Sequence, residues 1–130
     1  MILDTSFIID LMDGDEPALA RKRKIEENKE SYRVAAPTIF ELWSGIFSSS
    51  MPDKEKSKVF TALSEINTIQ IGRTSAEKAG EIHGSLVKKG QPIDSIDCMI
   101  ASVALLENEI LLTRNTKHFT RISGLKVEGY

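Results

Sequence analysis

A chain of 130 residues with 41% hydrophobic and 28% charged side chains is long enough for one domain with its own core, which excludes general disorder. The net charge of −2 excludes a uniformly basic surface, so any nucleic-acid partner must be held by local cations or through a metal ion. The single cysteine, Cys98, excludes an internal disulfide and a cysteine-rich zinc site. Without a leader pattern or a long apolar run, we expect a cytoplasmic protein with no membrane partner.

The first half of the sequence predicts two short buried strands, each followed by helices. Short apolar runs bounded by a polar residue or proline are typical of strands in a parallel sheet. Apolar residues at helical spacing and stop signals such as Gly14 bound the helices. The predicted elements are, in order, strand 2–3, a helix to Gly14, a helix from Asp15 to about Lys29, strand 34–36, a helix from Thr38 that breaks at Met51-Pro52-Asp53, and a helix carrying Val59, Phe60, Leu63 and Ile66.

The second half continues the alternation of strands and helices. Thr74 and Glu77 form a capping-box pattern at the start of one helix. The predicted elements are strand 68–71, a helix ending near Gly90, a strongly apolar helix from Asp94 to about Asn108, strand 110–113, a polar turn from Arg114 to Phe119 and a candidate fifth strand around residues 126–128. Strands that alternate with helices predict an α/β fold in one domain, residues 1–130, with a parallel sheet of four to five short strands between helices.

This topology places three acids and one amide at the same edge of the sheet. Ligands of open α/β sheets bind outside the carboxyl ends of the strands. Asp4 ends the first strand, and Glu41 lies in the first turn of the helix after the second. Asp97 lies in the first turn of the helix before the fourth strand, and Asn115 follows that strand. We therefore expect these four side chains to lie together although they are far apart in sequence.

Each acid also has a purely local interpretation. Thr38-x-x-Glu41 is a capping-box pattern, so Glu41 could simply close its own helix. Asp94 is favoured as the N-cap of the apolar helix, which leaves Asp97 as a partner of the helix dipole. Asp4 could cap the first helix. Only the joint placement on one edge favours the functional interpretation.

Carboxylates that converge repel one another unless a cation lies between them. Mg²⁺ and Mn²⁺ prefer oxygen ligands, activate water and stabilise in-line displacement at phosphorus. An acidic edge without histidine or cysteine ligands therefore favours phosphodiester chemistry over zinc-dependent hydrolysis.

Four segments of the sequence occur in a recognisable order and spacing. They are Ile2-Leu3-Asp4-Thr5-Ser6, Pro37-Thr38-Ile39-Phe40-Glu41-Leu42, Asp97-Cys98-Met99-Ile100-Ala101 and Leu112-Thr113-Arg114-Asn115-x-x-x-Phe119. Together they resemble the PIN-domain family, and specifically the VapC toxins of VapBC toxin–antitoxin pairs, over essentially the whole chain. The resemblance implies a three-layer α/β/α sandwich, a Mg²⁺- or Mn²⁺-dependent endoribonuclease acting on RNA, a homodimer, and a VapB-type antitoxin that blocks the acidic site.

The resemblance also implies roles for individual residues. Asp4 and Asp97 match the principal metal-binding aspartates, and Glu41 matches the catalytic glutamate, which reaches the metal directly or through water. Asn115 stands where the family often has aspartate, so the sequence leaves a second metal ion open. The remaining candidates are the supporting polar residues Thr5, Ser6 and Thr113, the RNA contacts Arg114 and Lys117, and the possible extra acid Asp94.

Three rival interpretations compete with a toxin. A phosphoacceptor signalling domain needs an acid at the end of the third strand, where this sequence has Ile71-Gly72-Arg73-Thr74. A PIN fold kept as an inactive binding module is disfavoured by the three acids, although the neutral Asn115 leaves it open. An RNA-processing nuclease outside any toxin–antitoxin pair is the main rival among enzymes.

Overall fold

The computed structural model describes all 130 residues, as seven helices and a five-stranded sheet. The strands are β1 Ile2–Leu3, β2 Arg33–Ala35, β3 Asn67–Ile69, β4 Leu111–Leu112 and β5 Val127–Glu128. The helices are α1 Thr5–Asp13, α2 Glu16–Glu27, α3 Ala36–Ser48, α4 Pro52–Leu63, α5 Arg73–Lys88, α6 Ser95–Leu106 and α7 Thr116–Phe119. None of the helices combines the length and apolarity that crossing a membrane requires.

The strand order determines which loops meet. The strands lie in the order β3-β2-β1-β4-β5, and every neighbouring pair is parallel. β1 is central, with Ile2 opposite Arg33 of β2 and Leu3 opposite Leu112 of β4. The segments that follow β1, β2 and β4 therefore leave the sheet side by side at one edge. This confirms the predicted parallel α/β architecture.

Two apolar clusters cover the two faces of the sheet. One includes the α5 and α6 residues Leu86, Ile100 and Ala104, and the other includes Phe7 of α1 and Leu42 of α3. Each cluster buries side chains that the helical periodicity marked as apolar. Because helices pack on both faces, the molecule has the three predicted layers.

Local boundaries differ from the sequence prediction where tertiary contacts outweigh local signals. The segment predicted as a polar turn contains α7, which forms because Phe119 is fully buried. The capping box predicted for Thr74 and Glu77 is wrong, since the N-cap of α5 is Gly72, two residues before Thr74. There the Ser75 hydroxyl accepts the backbone N–H of Gly72 at 2.9 Å. Gly14 ends α1 as predicted, with a φ of 76° that residues other than glycine rarely adopt.

Candidate active site

Asp4, directly after β1, is held by two hydroxyl groups that come from opposite ends of the chain. Its Oδ2 atom accepts hydrogen bonds from Ser6 Oγ at 2.6 Å and from Thr113 Oγ1 at 2.7 Å. All three side chains are buried. Asp4 occupies the N-cap position of α1 but makes no capping bond, so the capping interpretation of this residue is wrong. The carboxylate is turned to the two hydroxyl groups, both of which bond to its Oδ2 atom.

The two hydroxyl groups are themselves oriented by the backbone. Ser6 Oγ accepts the N–H of Arg114 at 3.1 Å, and Thr113 Oγ1 accepts the N–H of Asn115 at 2.9 Å. Each hydroxyl oxygen therefore accepts one hydrogen bond from the backbone and donates one to Asp4. Ligand carboxylates that are fixed in this way by outer hydrogen bonds keep one orientation.

Glu41 lies in α3 and accepts a hydrogen bond at Oε2 from the Thr5 hydroxyl of α1. Since α3 begins at Ala36, with Pro37 in its first turn, Thr38 is not the N-cap and the capping-box interpretation of Glu41 is wrong. Partial burial raises the pKa of Glu41, and the negative charges of Asp4 and Asp94 raise it further against the opposing Thr5 hydrogen bond. Glu41 therefore belongs to the same electrostatic cluster as Asp4.

Asp97 faces the same cluster from the first turn of α6. Burial raises its pKa to about 7, and the charges of Asp4, Glu41 and Asp94 contribute in the same direction. The three predicted acids therefore lie close enough to influence one another electrostatically. Asp94 caps α6 by accepting the N–H of Ile96 at 2.8 Å, which confirms the preferred interpretation of that residue.

The donor chemistry of the cluster fits a hard divalent cation. All of its charged groups are carboxylates, and no cationic side chain offsets the raised pKa of Asp97. The acids do not form a closed ligand cage, because no group of three acidic, histidine or cysteine side chains converges on a single point. An ion held by only one or two carboxylates, with water on its other positions, is the mode that Mg²⁺ favours.

The capping role of Asp94 gives a stability prediction. Asp94→Ala is expected to lower the free energy of unfolding by about 1 kcal/mol, because the N–H of Ile96 loses its acceptor. Asp94→Asn keeps a capping oxygen and should change it by less than about 0.5 kcal/mol. Urea unfolding in a chelating buffer measures both. Equal destabilisation by the two variants would show that the charge, and not the cap, matters.

The other predicted residues lie in the segment that follows β4. Asn115 is exposed and does not cap α7, and Lys117 is exposed on that helix. The Arg114 guanidinium donates to Asp10 at 2.5 Å. The sequence analysis did not predict a role for Asp10, although one feature of the sequence indicated that this residue is unusual. It is a carboxylate four residues after Ser6, on a helix whose neighbouring positions are apolar.

The fold and the cluster together define a class of protein, a parallel α/β sheet with a cluster of carboxylates at the carboxyl ends of its central strands. The chain belongs to the PIN-domain family, whose profile matches residues 1–125. It is 30% identical over 129 residues to the tRNA(fMet)-specific endonuclease VapC of Shigella flexneri, covering 99% of this chain and 96% of that protein.

Solved structures show the same fold. VapBC2 from Rickettsia felis, bound to a DNA fragment from its promoter, matches with a TM-score of 0.89 and 26% identity, covering 99% of this chain and 97% of that one. DNA-bound VapBC from Salmonella typhimurium matches with a TM-score of 0.86 and 27% identity, over 98% and 96%. The predicted PIN-like fold and the resemblance to VapC proteins are thereby confirmed.

Proposed function

We propose that this protein is a metal-dependent endoribonuclease and the toxin of a toxin–antitoxin pair. The observation that carries the proposal is the position of Asp4, fixed by two buried hydroxyl groups beside Glu41 and Asp97. Relatives across the whole chain are named ribonucleases, and similar solved structures are VapBC complexes. Both facts support RNA as the substrate and hydrolysis of a phosphodiester as the reaction.

Asp4 and Asp97 are the residues that would hold a divalent cation, Mg²⁺ or Mn²⁺, with Glu41 assisting directly or through water. When bound, the cation supplies Lewis-acid activation and neutralises charge that develops on the phosphate. Ser6 and Thr113 keep the Asp4 carboxylate in one orientation, and Thr5 does so for Glu41.

Glu41 is suited to take a proton from the attacking water, because its raised pKa makes it a stronger base than an ordinary glutamate. Asn115 can donate its amide to a phosphate oxygen but brings no charge, so we propose one firm cation position. Arg114 and Lys117 are proposed contacts to the RNA backbone. All three residues belong to the segment after β4, which joins Asp4 through the Thr113 hydroxyl.

The proposed partners follow from the same acidic cluster. A VapB-type antitoxin would block it with a cationic group, since the cluster contains no counter-charge of its own. A homodimer remains a prediction from the resemblance, and a cytoplasmic location remains a prediction from the sequence pattern. Growth arrest on expression, relieved by co-expression of an adjacent small gene product, would separate the toxin from an RNA-processing nuclease outside such a pair.

RNA cleavage in the presence of Mg²⁺ tests the proposed function. Asp4→Asn keeps the size of the side chain but removes the charge, and we expect the cleavage rate to fall by at least about 100-fold. Asp53→Asn makes the same change on the exposed first turn of α4 and serves as the control. Undiminished cleavage by Asp4→Asn would contradict the proposal. Cation binding by the wild type without any cleavage would instead favour an inactive binding module.

A further inference from the structure

Asp10 is a buried carboxylate outside the acidic cluster. It lies on α1 and is 5% exposed. Its Oδ1 atom accepts a hydrogen bond from Arg114 Nη1 at 2.5 Å, and its Oδ2 atom accepts one from Tyr130 Oη at 2.7 Å. Burying a carboxylate is costly unless it is paired and hydrogen-bonded. The hydrogen bonds from Arg114 and Tyr130 offset that cost. The position of these two donors also indicates a role for the carboxylate.

Arg114 is attached to α1 at two points. Its backbone N–H donates to Ser6 Oγ and its guanidinium donates to Asp10. Ser6 and Asp10 are four residues apart, so they lie on the same face of the helix. Because the Ser6 hydroxyl also donates to Asp4, the segment that carries Arg114 is joined directly to the acidic cluster.

The Arg114 guanidinium is fixed but remains open to solvent. Its side chain is 60% exposed, whereas Asp10 is buried. A guanidinium has five N–H donors in a planar fork, and Asp10 takes one of them. The remaining donors match the geometry of a phosphate group. A side chain that is already held in place loses less conformational freedom when it binds a ligand.

Tyr130 supports this arrangement from the other side. Its ring packs edge-on against Phe7 of α1, with the ring centroids 4.8 Å apart. Burial and the hydrogen bond to Asp10 both raise the pKa of the Tyr130 hydroxyl, which therefore keeps its proton and donates at neutral pH. With both of its oxygens occupied, Asp10 is held in a single orientation toward Arg114.

We propose that Asp10 and Tyr130 are positioning residues that hold the Arg114 guanidinium where it binds a phosphate of the RNA beside the acidic cluster. The inference rests on the proposed nuclease function. It assigns Asp10 an effect on substrate binding that acts through Arg114 and not through the acids.

Steady-state cleavage of one RNA by Asp10→Asn, by Arg114→Ala and by the double variant tests the inference. We expect Asp10→Asn to raise KM about 5-fold with kcat changed by less than about 2-fold, as for a lost binding contact. In the Arg114→Ala background, Asp10→Asn should change KM by less than about 2-fold, because the two residues act as a unit. Arg114→Ala should also reduce the slope of log KM against log salt by about 0.7, the value for one phosphate contact on a single strand.

Each outcome bears on one of the two proposals. If the wild type cleaves RNA, Asp97→Asn does not, and Asp10→Asn has an unchanged KM, the inference is overturned and the proposed function stands. An Asp10→Asn effect that is equally large in the Arg114→Ala background also overturns the inference alone, because it would mark a purely structural role. If the wild type cleaves RNA no faster than Asp97→Asn does, the proposed function is overturned and the inference with it. Should Asp10→Asn fail to fold, Tyr130→Phe replaces it in the same cycle, because it keeps the ring on Phe7.

Discussion

Asp97→Asn is expected to reduce RNA cleavage by at least about 100-fold and, in the same protein, to stabilise the metal-free fold at pH 8. The first effect follows from the loss of a proposed cation ligand. The second follows from the electrostatics of the cluster, where burial and three neighbouring carboxylates oppose ionisation of Asp97. One substitution should therefore move activity and stability in opposite directions.

The dependence on pH has a definite sign. The pKa of Asp97 rises from 3.8 to about 7 on folding, so folding favours its protonated form. In the metal-free protein, the contribution of Asp97 to the free energy of unfolding is therefore fully present below pH 3.8. This contribution is lost as the pH rises through about 7. Asp97→Asn removes this loss, and the stability difference between variant and wild type should grow between pH 4 and pH 8.

The expected magnitude is modest but measurable. A shift of this size corresponds to at most ~4 kcal/mol, and solvent screening of a partly exposed side chain reduces the expected gain to about 1–2 kcal/mol. Thermal unfolding in a chelating buffer should show a Tm increase of roughly 3–8 °C at pH 8.

The exposed Asp53→Asn variant is the charge-matched control for this prediction and should show no such increase. Added Mg²⁺ should stabilise the wild type and not Asp97→Asn, since binding to the folded state raises stability by mass action. A wild type that is as stable as the variant at pH 8 without metal would contradict the electrostatic explanation.

Thr113→Val is expected to lower RNA cleavage by about 10- to 100-fold while leaving the shape of the side chain almost unchanged. Thr113 is fully buried, and its hydroxyl links Asp4 to the backbone N–H of Asn115. Without it, Asp4 keeps only the Ser6 hydrogen bond, and the N–H of Asn115 loses its acceptor. We expect the free energy of unfolding to fall by about 1–3 kcal/mol.

Thr38→Val is a matched control for this substitution. Thr38 is also fully buried, but its hydroxyl has no hydrogen-bond partner. Removing an unpaired buried hydroxyl should leave stability unchanged or raise it by up to about 1 kcal/mol. Parallel urea unfolding and cleavage assays on the two variants separate loss of the Asp4 bond from loss of a hydroxyl in general. Equal effects in both would contradict the role assigned to Thr113.

The amino-acid sequence by itself determined the architecture and the sheet edge at which the candidate site is proposed. Apolar periodicity is a local property, so the alternation of strands and helices could be read directly. Parallel strands then bring their carboxyl ends to one edge, which placed Asp4, Glu41 and Asp97 together without any knowledge of contacts. The N-cap role of Asp94 was equally local, since it depends on a backbone N–H only two residues away.

Only the tertiary structure decided which polar groups pair. Glu41 could bond within its own helix or elsewhere, and the actual partner is Thr5, 36 residues away. Asp10 bonds to Arg114 and Tyr130, which are 104 and 120 residues distant. A hydrogen bond requires its two atoms to lie within about 3 Å, and no local pattern fixes that distance between segments remote in the chain. The packing of α1 against the segments after β4 and after β5 fixed it for Asp10, and with it the orientation of Asp4 and Arg114.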